Sequence, residues 1–170
     1  MTEPAAAGPD AAAEIIARLT ARGQTAAVAE SLTGGLLAAA LTAVPGASAA
    51  FRGGVVAYAT EVKATMLGVP RDLLERHGAV HPDVAVAMAA GVRRRMAATI
   101  GAATTGVAGP DPADGQPVGT VYIAVSAGRG GWADGTVRSL ALSGSRDEIR
   151  RQTVAECLRL ILGRIREENT

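Results

Sequence analysis

Residues 25–44 read TAAVAESLTGGLLAAALTAV. The first five residues are apolar or small and form a short run, which is typical of a strand buried on both faces. From Leu36 to Val44 the apolar run is longer and predicts a helix. Between the two lie the polar and glycine-rich residues 30–35, where the chain must turn tightly. The stretch therefore predicts a buried strand that passes through a turn directly into a helix.

The same succession of strands and helices continues on either side of this stretch. Outside it, the pattern predicts a helix capped by Asp10 and stopped by Gly23, a strand at 53–58, helices at 60–68, 71–76 and 82–99, a strand at 101–105, strands at 118–126 and 132–142 joined around 128–131, and a last helix from near Ser145. Alternating strands and helices favour parallel pairing with helices on both faces of the sheet, and the late hairpin adds antiparallel strands. The predicted fold is a three-layer α/β/α sandwich with a mostly parallel, mixed sheet.

Composition narrows the class of protein. The chain has 170 residues, of which 48% are hydrophobic and 19% charged, so it can form one folded domain. We expect a flexible tail at 1–9 and a single domain at 10–170. The net charge of +1 argues against nucleic-acid binding. The single cysteine excludes a disulfide framework and a thiolate metal site.

The N-terminal residues lack the basic start and apolar stretch of a signal peptide. The chain also lacks a run of about 18 apolar residues, the length needed to span a bilayer. The sequence therefore predicts a cytoplasmic protein with neither a membrane nor a nucleic acid as partner. It leaves a homo-oligomer open.

Three segments with unusual chemistry are predicted to leave the sheet at one edge: residues 30–35, 58–63 and 105–111. In open α/β sheets, ligands bind outside the carboxyl ends of the strands. We therefore expect the functional site where these three segments meet.

Lys63 stands out by composition, because it is the only lysine among 17 basic residues. Arginine does not lose its proton near neutral pH, whereas a desolvated lysine can. A single retained lysine is therefore a candidate general base. A lysine that survives by chance on a solvated helix face is an equally simple interpretation, and the residues alone leave both open.

Ser31 lies at the predicted strand-to-helix turn, followed by Thr33, Gly34 and Gly35. Free amides at a helix N-terminus can stabilise a phosphate or the oxyanion of a tetrahedral intermediate. A serine cap in a tight turn is the commoner arrangement. Tyr58 could relay a proton or orient the lysine, or it could simply end a buried strand.

Arg146 and Arg150 are four residues apart and share one helix face, where they could clamp a phosphate or remain solvated. His77 and His81 lack metal-ligand spacing and lie in a loop far from the predicted strand ends. Neither a Walker pattern nor a Gly-x-Gly-x-x-Gly pattern occurs. The sequence therefore favours a site without metal or cofactor, in which Ser31 is the nucleophile and Lys63 the base.

Four motifs occur in one order along the chain: ESLTGG at 30–35, GxxxYxxxxK at 54–63, TGVAGPD at 105–111 and PVGTV at 117–121. Together they resemble the CinA C-terminal domain family, which includes the nicotinamide mononucleotide deamidases. The resemblance covers residues 11–167. It implies a three-layer α/β/α fold and hydrolysis of the nicotinamide carboxamide to nicotinate mononucleotide and ammonia.

On this pattern Ser31 matches the nucleophile and Lys63 the base, with Tyr58 and Thr105 as supporting site residues. The nucleotide substrate would bind residues that line the turns or carry positive charge: Thr33, Gly34, Gly35, Gly106, Gly109 and Arg146. Two positions depart from the family, which usually has Cys where this chain has Leu32 and Asp where it has Ser145; Ser145 can still cap the last helix.

Two alternatives to this function stay open. They are a non-catalytic nucleotide- or partner-binding module of the competence/damage-inducible CinA type, and a hydrolase of another small amide or ester.

Overall fold

The structure is a computed structural model that describes residues 9–128 and 135–167. Within these residues it contains six α-helices and five strands, in the order α1 (Pro9–Ala21), β1 (Ala26–Glu30), α2 (Leu36–Thr42), β2 (Phe51–Val56), α3 (Thr60–Leu67), α4 (Arg71–His77), α5 (Pro82–Arg95), β3 (Ile100–Gly106), β4 (Thr120–Ala127), β5 (Gly135–Ala141) and α6 (Arg146–Glu167). The predicted tail lies outside the described residues except for Pro9, and so does most of the predicted hairpin turn.

The strands form one sheet in the order β2-β1-β3-β4-β5. The strand β1 pairs in parallel with both β2 and β3, whereas β3–β4 and β4–β5 are antiparallel. The predicted mixed sheet is therefore confirmed. Because β1, β2 and β3 run in the same direction, their carboxyl ends lie at one edge.

Helices cover both faces of the sheet, which confirms the three-layer sandwich. Side chains alternate between the faces along each strand. In β1, Val28 packs in a core with α1, α2 and α6, while Ala27 and Ala29 pack in a second core with α3, α4 and α5. Among the helices of the described segments, none is both long and apolar enough to cross a membrane.

Small residues let the helices approach the sheet closely in this chain, which has only 2% aromatic residues. A Cβ added at Gly101 in β3 would lie 2.1 Å from the carbonyl oxygen of Ala89 in α5. Such a distance is far inside van der Waals contact, so only glycine permits this packing.

Some predicted boundaries are wrong by a few residues. The helix α5 ends at Arg95 instead of continuing to residue 99, because the chain leaves the helix at Met96 and Ala97 adopts a φ of 48°. The strand β2 ends at Val56, where its pairing with β1 ends, so Tyr58 lies beyond it. Asp10 lies in the first turn of α1 and is not its cap.

Candidate active site

A cavity of about 280 Å³ opens at the edge where β1, β2 and β3 end. All three segments that the sequence singled out contribute to its wall, which confirms that they converge. Its lining consists of Ser31, Leu32, Tyr58, Thr60, Lys63, Ala79, Val80, Thr105, Gly106, Val107, Ala108, Gly109, Asp111, Ala113, Asp114 and Arg146.

Ser31 and Lys63 are in direct contact inside this cavity. The Lys63 Nζ donates to Ser31 Oγ at 3.0 Å and to the carbonyl oxygens of Ala57 and Tyr58 at 2.7 and 3.2 Å. Lys63 is only 1% exposed and Ser31 8%. The lysine is therefore not on a solvated helix face, and the chance-survivor interpretation loses its basis.

Burial also changes the acidity of the lysine. Loss of hydration disfavours the ammonium and lowers the pKa of Lys63 from 10.5 to about 8, although the negative charge of Asp114 acts in the opposite direction. In a substantial fraction of the molecules, the Lys63 amine is then neutral near physiological pH. A neutral amine 3.0 Å from a serine hydroxyl can accept its proton.

A carboxylate of the protein itself binds the end of the turn at residues 31–35. Glu30, which is buried, accepts hydrogen bonds from the backbone amides of Gly35, Leu37 and Ala38 at 3.1, 3.0 and 2.8 Å. These amides begin α2, whose first N–H groups have no partner within the helix. The anion at this helix N-terminus is thus Glu30 itself, and the Gly35 amide that the sequence suggested for a ligand is engaged.

Arg150 holds the same turn from the side of α6. Its Nε donates to the carbonyl oxygen of Leu32 at 3.0 Å and its Nη2 to that of Thr33 at 3.3 Å. The Gly34 amide donates to Ser31 O at 3.1 Å. Arg150 therefore fixes the peptide planes that follow Ser31, and it does not share the position of Arg146 at the cavity.

Arg146 connects two parts of the cavity rim. Its Nη1 donates to Gly109 O at 2.6 Å and its Nη2 to the Tyr58 hydroxyl at 3.0 Å. Tyr58 is 61% exposed, so its phenol lies at the mouth of the cavity. The contact from Tyr58 to Lys63 is made by its carbonyl group instead.

The remaining predicted residues divide into two groups. Thr105 is buried in the lining and donates its hydroxyl proton to Ala79 O at 2.7 Å, and Gly106 and Gly109 also line the cavity. Thr33, Gly34 and Gly35 lie outside the lining. The Thr33 hydroxyl instead meets that of Thr104 at 2.7 Å within the protein.

Sequence reasoning missed the segment between α4 and α5 and the residue Asp114. Ala79 and Val80 reach the cavity although they lie far from any strand end in the sequence. Asp114 Oδ2 accepts from the Ala79 amide at 2.7 Å, and its charge acts on Lys63. The one feature of the sequence that pointed to Asp114 was an acidic residue within the polar loop 106–117.

The two histidines lie near this segment without lining the cavity. The rings of His77 and His81 stack with centroids 4.1 Å apart, and His81 caps α5 by accepting from Asp83 N. Within residues 9–128 and 135–167, no group of three or more His, Cys, Asp or Glu side chains is arranged to hold a metal ion.

The two departures from the family motifs are accommodated locally. Leu32 is buried in the core beside α2 and also lines the cavity. The Ser145 amide donates to Glu148 Oε2 at 2.7 Å, and the Glu148 amide donates to Ser145 Oγ at 3.3 Å. This reciprocal pair is a capping box, so Ser145 does cap α6 as the sequence suggested.

The CinA C-terminal domain family matches residues 9–165. A CinA-like protein from Frankia casuarinae is 56% identical over 148 residues, which are 86% of this chain and 33% of the relative. A CinA-like protein from Anaeromyxobacter sp. (strain K) is 49% identical over 148 residues, 86% of this chain and 35% of the relative. The chain thus spans about a third of the length of these curated relatives.

Among solved structures, the competence/damage inducible protein CihA from Agrobacterium tumefaciens is similar over nearly its whole length. Its TM-score is 0.87 at 36% identity, covering 96% of this chain and 98% of that chain. A competence-damaged protein (CinA) superfamily protein from Escherichia coli gives a TM-score of 0.88 at 29% identity, covering 95% and 93%.

Proposed function

Because the chain belongs to the CinA C-terminal domain family, we propose that it is an amidohydrolase that converts nicotinamide mononucleotide to nicotinate mononucleotide and ammonia. The observation that carries the proposal is the 3.0 Å contact between Ser31 Oγ and the buried amine of Lys63 inside a cavity. A binding module has no need of a hydroxyl beside a deprotonatable amine. An enzyme that forms an acyl intermediate needs both.

In the proposed reaction, neutral Lys63 accepts the Ser31 proton while Oγ attacks the carboxamide carbon. The tetrahedral intermediate collapses, the carbon–nitrogen bond breaks, and ammonia leaves with the proton that Lys63 held. Water then attacks the acyl-serine ester and gives a proton to Lys63, and Ser31 regains that proton as the ester bond breaks. The carboxylic acid product loses its own proton to solvent or to the released ammonia. The balance is one water consumed and one ammonia produced.

The backbone amide of Leu32 is our candidate for the oxyanion donor. Ser31 O accepts from Gly34 N inside the turn, and in a planar trans peptide the Leu32 N–H points the opposite way. Among the described residues, none accepts a hydrogen bond from this N–H. A fixed donor next to the nucleophile could stabilise the developing negative charge.

Arg146 is the candidate for the substrate phosphate. Its partners, Gly109 O and the Tyr58 hydroxyl, are both neutral, and no carboxylate in the described part of the chain forms an ion pair with it. Its charge at the open end of the cavity is therefore available to an anion. A guanidinium can bind two phosphate oxygens at once.

The direct test is ammonia release from nicotinamide mononucleotide by the unmodified chain and by Ser31→Ala. We expect release by the first and almost none by the second. Binding of the nucleotide without ammonia release would support the non-catalytic module instead. Turnover of other small amides or esters in preference to the mononucleotide would support the second alternative.

A further inference from the structure

Asp114 brings a negative charge to a cavity that already holds Ser31 and Lys63. Although the residue is exposed, its carboxylate is fixed, because Oδ2 accepts from Ala79 N at 2.7 Å. It also packs on Gly78, where an added Cβ would lie 2.9 Å from the Asp114 Cγ. The neighbouring Ala79 carbonyl accepts the Thr105 hydroxyl, so the carboxylate belongs to the same network as the cavity wall.

Two of the charged residues that line the cavity, Asp114 and Arg146, have opposite signs. Asp114 lines the same cavity as Lys63, and its negative charge raises the pKa of the Lys63 amine against the effect of burial. Arg146 lies at the rim, bound to Tyr58 and Gly109. A ligand that is cationic at its reacting end and anionic at its other end would match both.

We propose that Asp114 makes the site selective for carboxamides carried on a cationic ring, and that it disfavours the carboxylate product. This inference rests on the proposed function. The ring of nicotinamide mononucleotide is a pyridinium cation, and its carboxamide is neutral. Hydrolysis turns that carboxamide into an anion near Asp114. The same charge that attracts the substrate ring then repels the new carboxylate and favours its release.

The test is Asp114→Asn, which keeps an oxygen acceptor for Ala79 N and removes the charge. Dissociation constants are measured by calorimetry in the non-reacting Ser31→Ala background. The ligands are nicotinamide mononucleotide, its 1,4-dihydro form with a neutral ring, and nicotinate mononucleotide. We expect binding of the first to weaken about two- to fivefold, the range of one partly exposed charge pair. Binding of the dihydro form should not change, and the ratio of product to substrate affinity should rise.

Two controls localise the effect. Asp111→Asn removes the same charge from the same cavity and should weaken substrate binding less. Asp114→Glu retains the charge and should retain the preference for the cationic ring, provided that melting temperatures show all variants folded. Equal weakening of the cationic and neutral ligands, or an equal effect of Asp111→Asn, would overturn the inference. Ammonia release by the unmodified chain is scored separately, so failure of the proposed function is distinguished from failure of this charge effect.

Discussion

Replacing Lys63 by methionine keeps a long unbranched side chain in the buried site and removes the amine. Without it, Ser31 has no base to accept its proton. We expect the rate of ammonia release to fall by about 10² to 10⁴, the usual contribution of a positioned base. In the unmodified chain the rate should fall as the pH drops below the Lys63 pKa of about 8, because protonation removes the base.

The same substitution makes a prediction about stability. The pKa of Lys63 is about 8 in the folded protein against 10.5 without burial. This difference corresponds to about 3 kcal/mol of unfolding free energy. Between the two values the unfolded chain binds more protons than the folded one, so stability rises with pH. Below about pH 8 both states are protonated, and the full penalty of burying the ammonium is present.

Urea unfolding of both proteins between pH 7.5 and 10.5 measures this directly. Lys63→Met lacks the rise, so its unfolding free energy relative to the unmodified chain should fall by about 3 kcal/mol across the range. Burial raises the pKa of the Cys157 thiol, which lowers stability at high pH, but this effect is common to both proteins and cancels. A difference that stays constant with pH, or an active Lys63→Met enzyme, would refute the reasoning.

Three further substitutions test other parts of the site. Ser31→Ala should lose several orders of magnitude in rate yet bind the mononucleotide in calorimetry, and retention of more than about a tenth of the rate would exclude Ser31 as nucleophile. Arg146→Ala should raise KM for the mononucleotide far more than it lowers kcat, and should leave nicotinamide riboside, which lacks the phosphate, unaffected. Arg150→Ala should lower kcat by about 10² with little change in KM, because the substitution displaces the turn that carries Ser31, whereas Arg150 itself does not contact the substrate. Arg151→Ala, one residue along and paired with Asp147 on the surface, is the matched control and should be silent; Arg150→Lys, able to reach one carbonyl, should recover part of the loss.

The convergence of the site could be predicted because it follows from topology. Once strands and helices alternate, parallel strands must end at one edge, and Ser31, Lys63 and Thr105 each follow or end such a strand. The composition added a second signal, since one lysine among 17 basic residues made Lys63 a candidate for a role that arginine cannot fill, although it left chance retention equally open. Neither inference required knowledge of side-chain contacts.

The partners within the site could not be predicted, because several groups compete for each donor. The glycine-rich turn indicated free amides at the start of α2, but the pattern does not show that Glu30 folds back to occupy them. Two arginines on one helix face suggested a shared ligand. In the structure, a difference of one turn along α6 sends Arg146 to the cavity rim and Arg150 to the carbonyls of Leu32 and Thr33.

Asp114 escaped prediction for a different reason. It lies in a loop without periodicity, and its backbone φ of 51° is a conformation that the sequence does not predict. Its partner, the Ala79 amide, is 35 residues away in the chain. Contacts of this kind form only after the sheet has brought two loops together, so local patterns in the sequence do not predict them.

The use of lysine at position 63, in a chain whose other basic residues are all arginine, fits what burial does to each basic side chain. A buried guanidinium stays protonated at neutral pH, so it bears the full cost of desolvation unless it is paired. A buried lysine can lose its proton and escape much of that cost. Lys63, at 1% exposure with only neutral acceptors in direct contact, occupies an environment suited to a group that can become neutral. The environment that makes arginine costly at this position is the one that would make lysine a base.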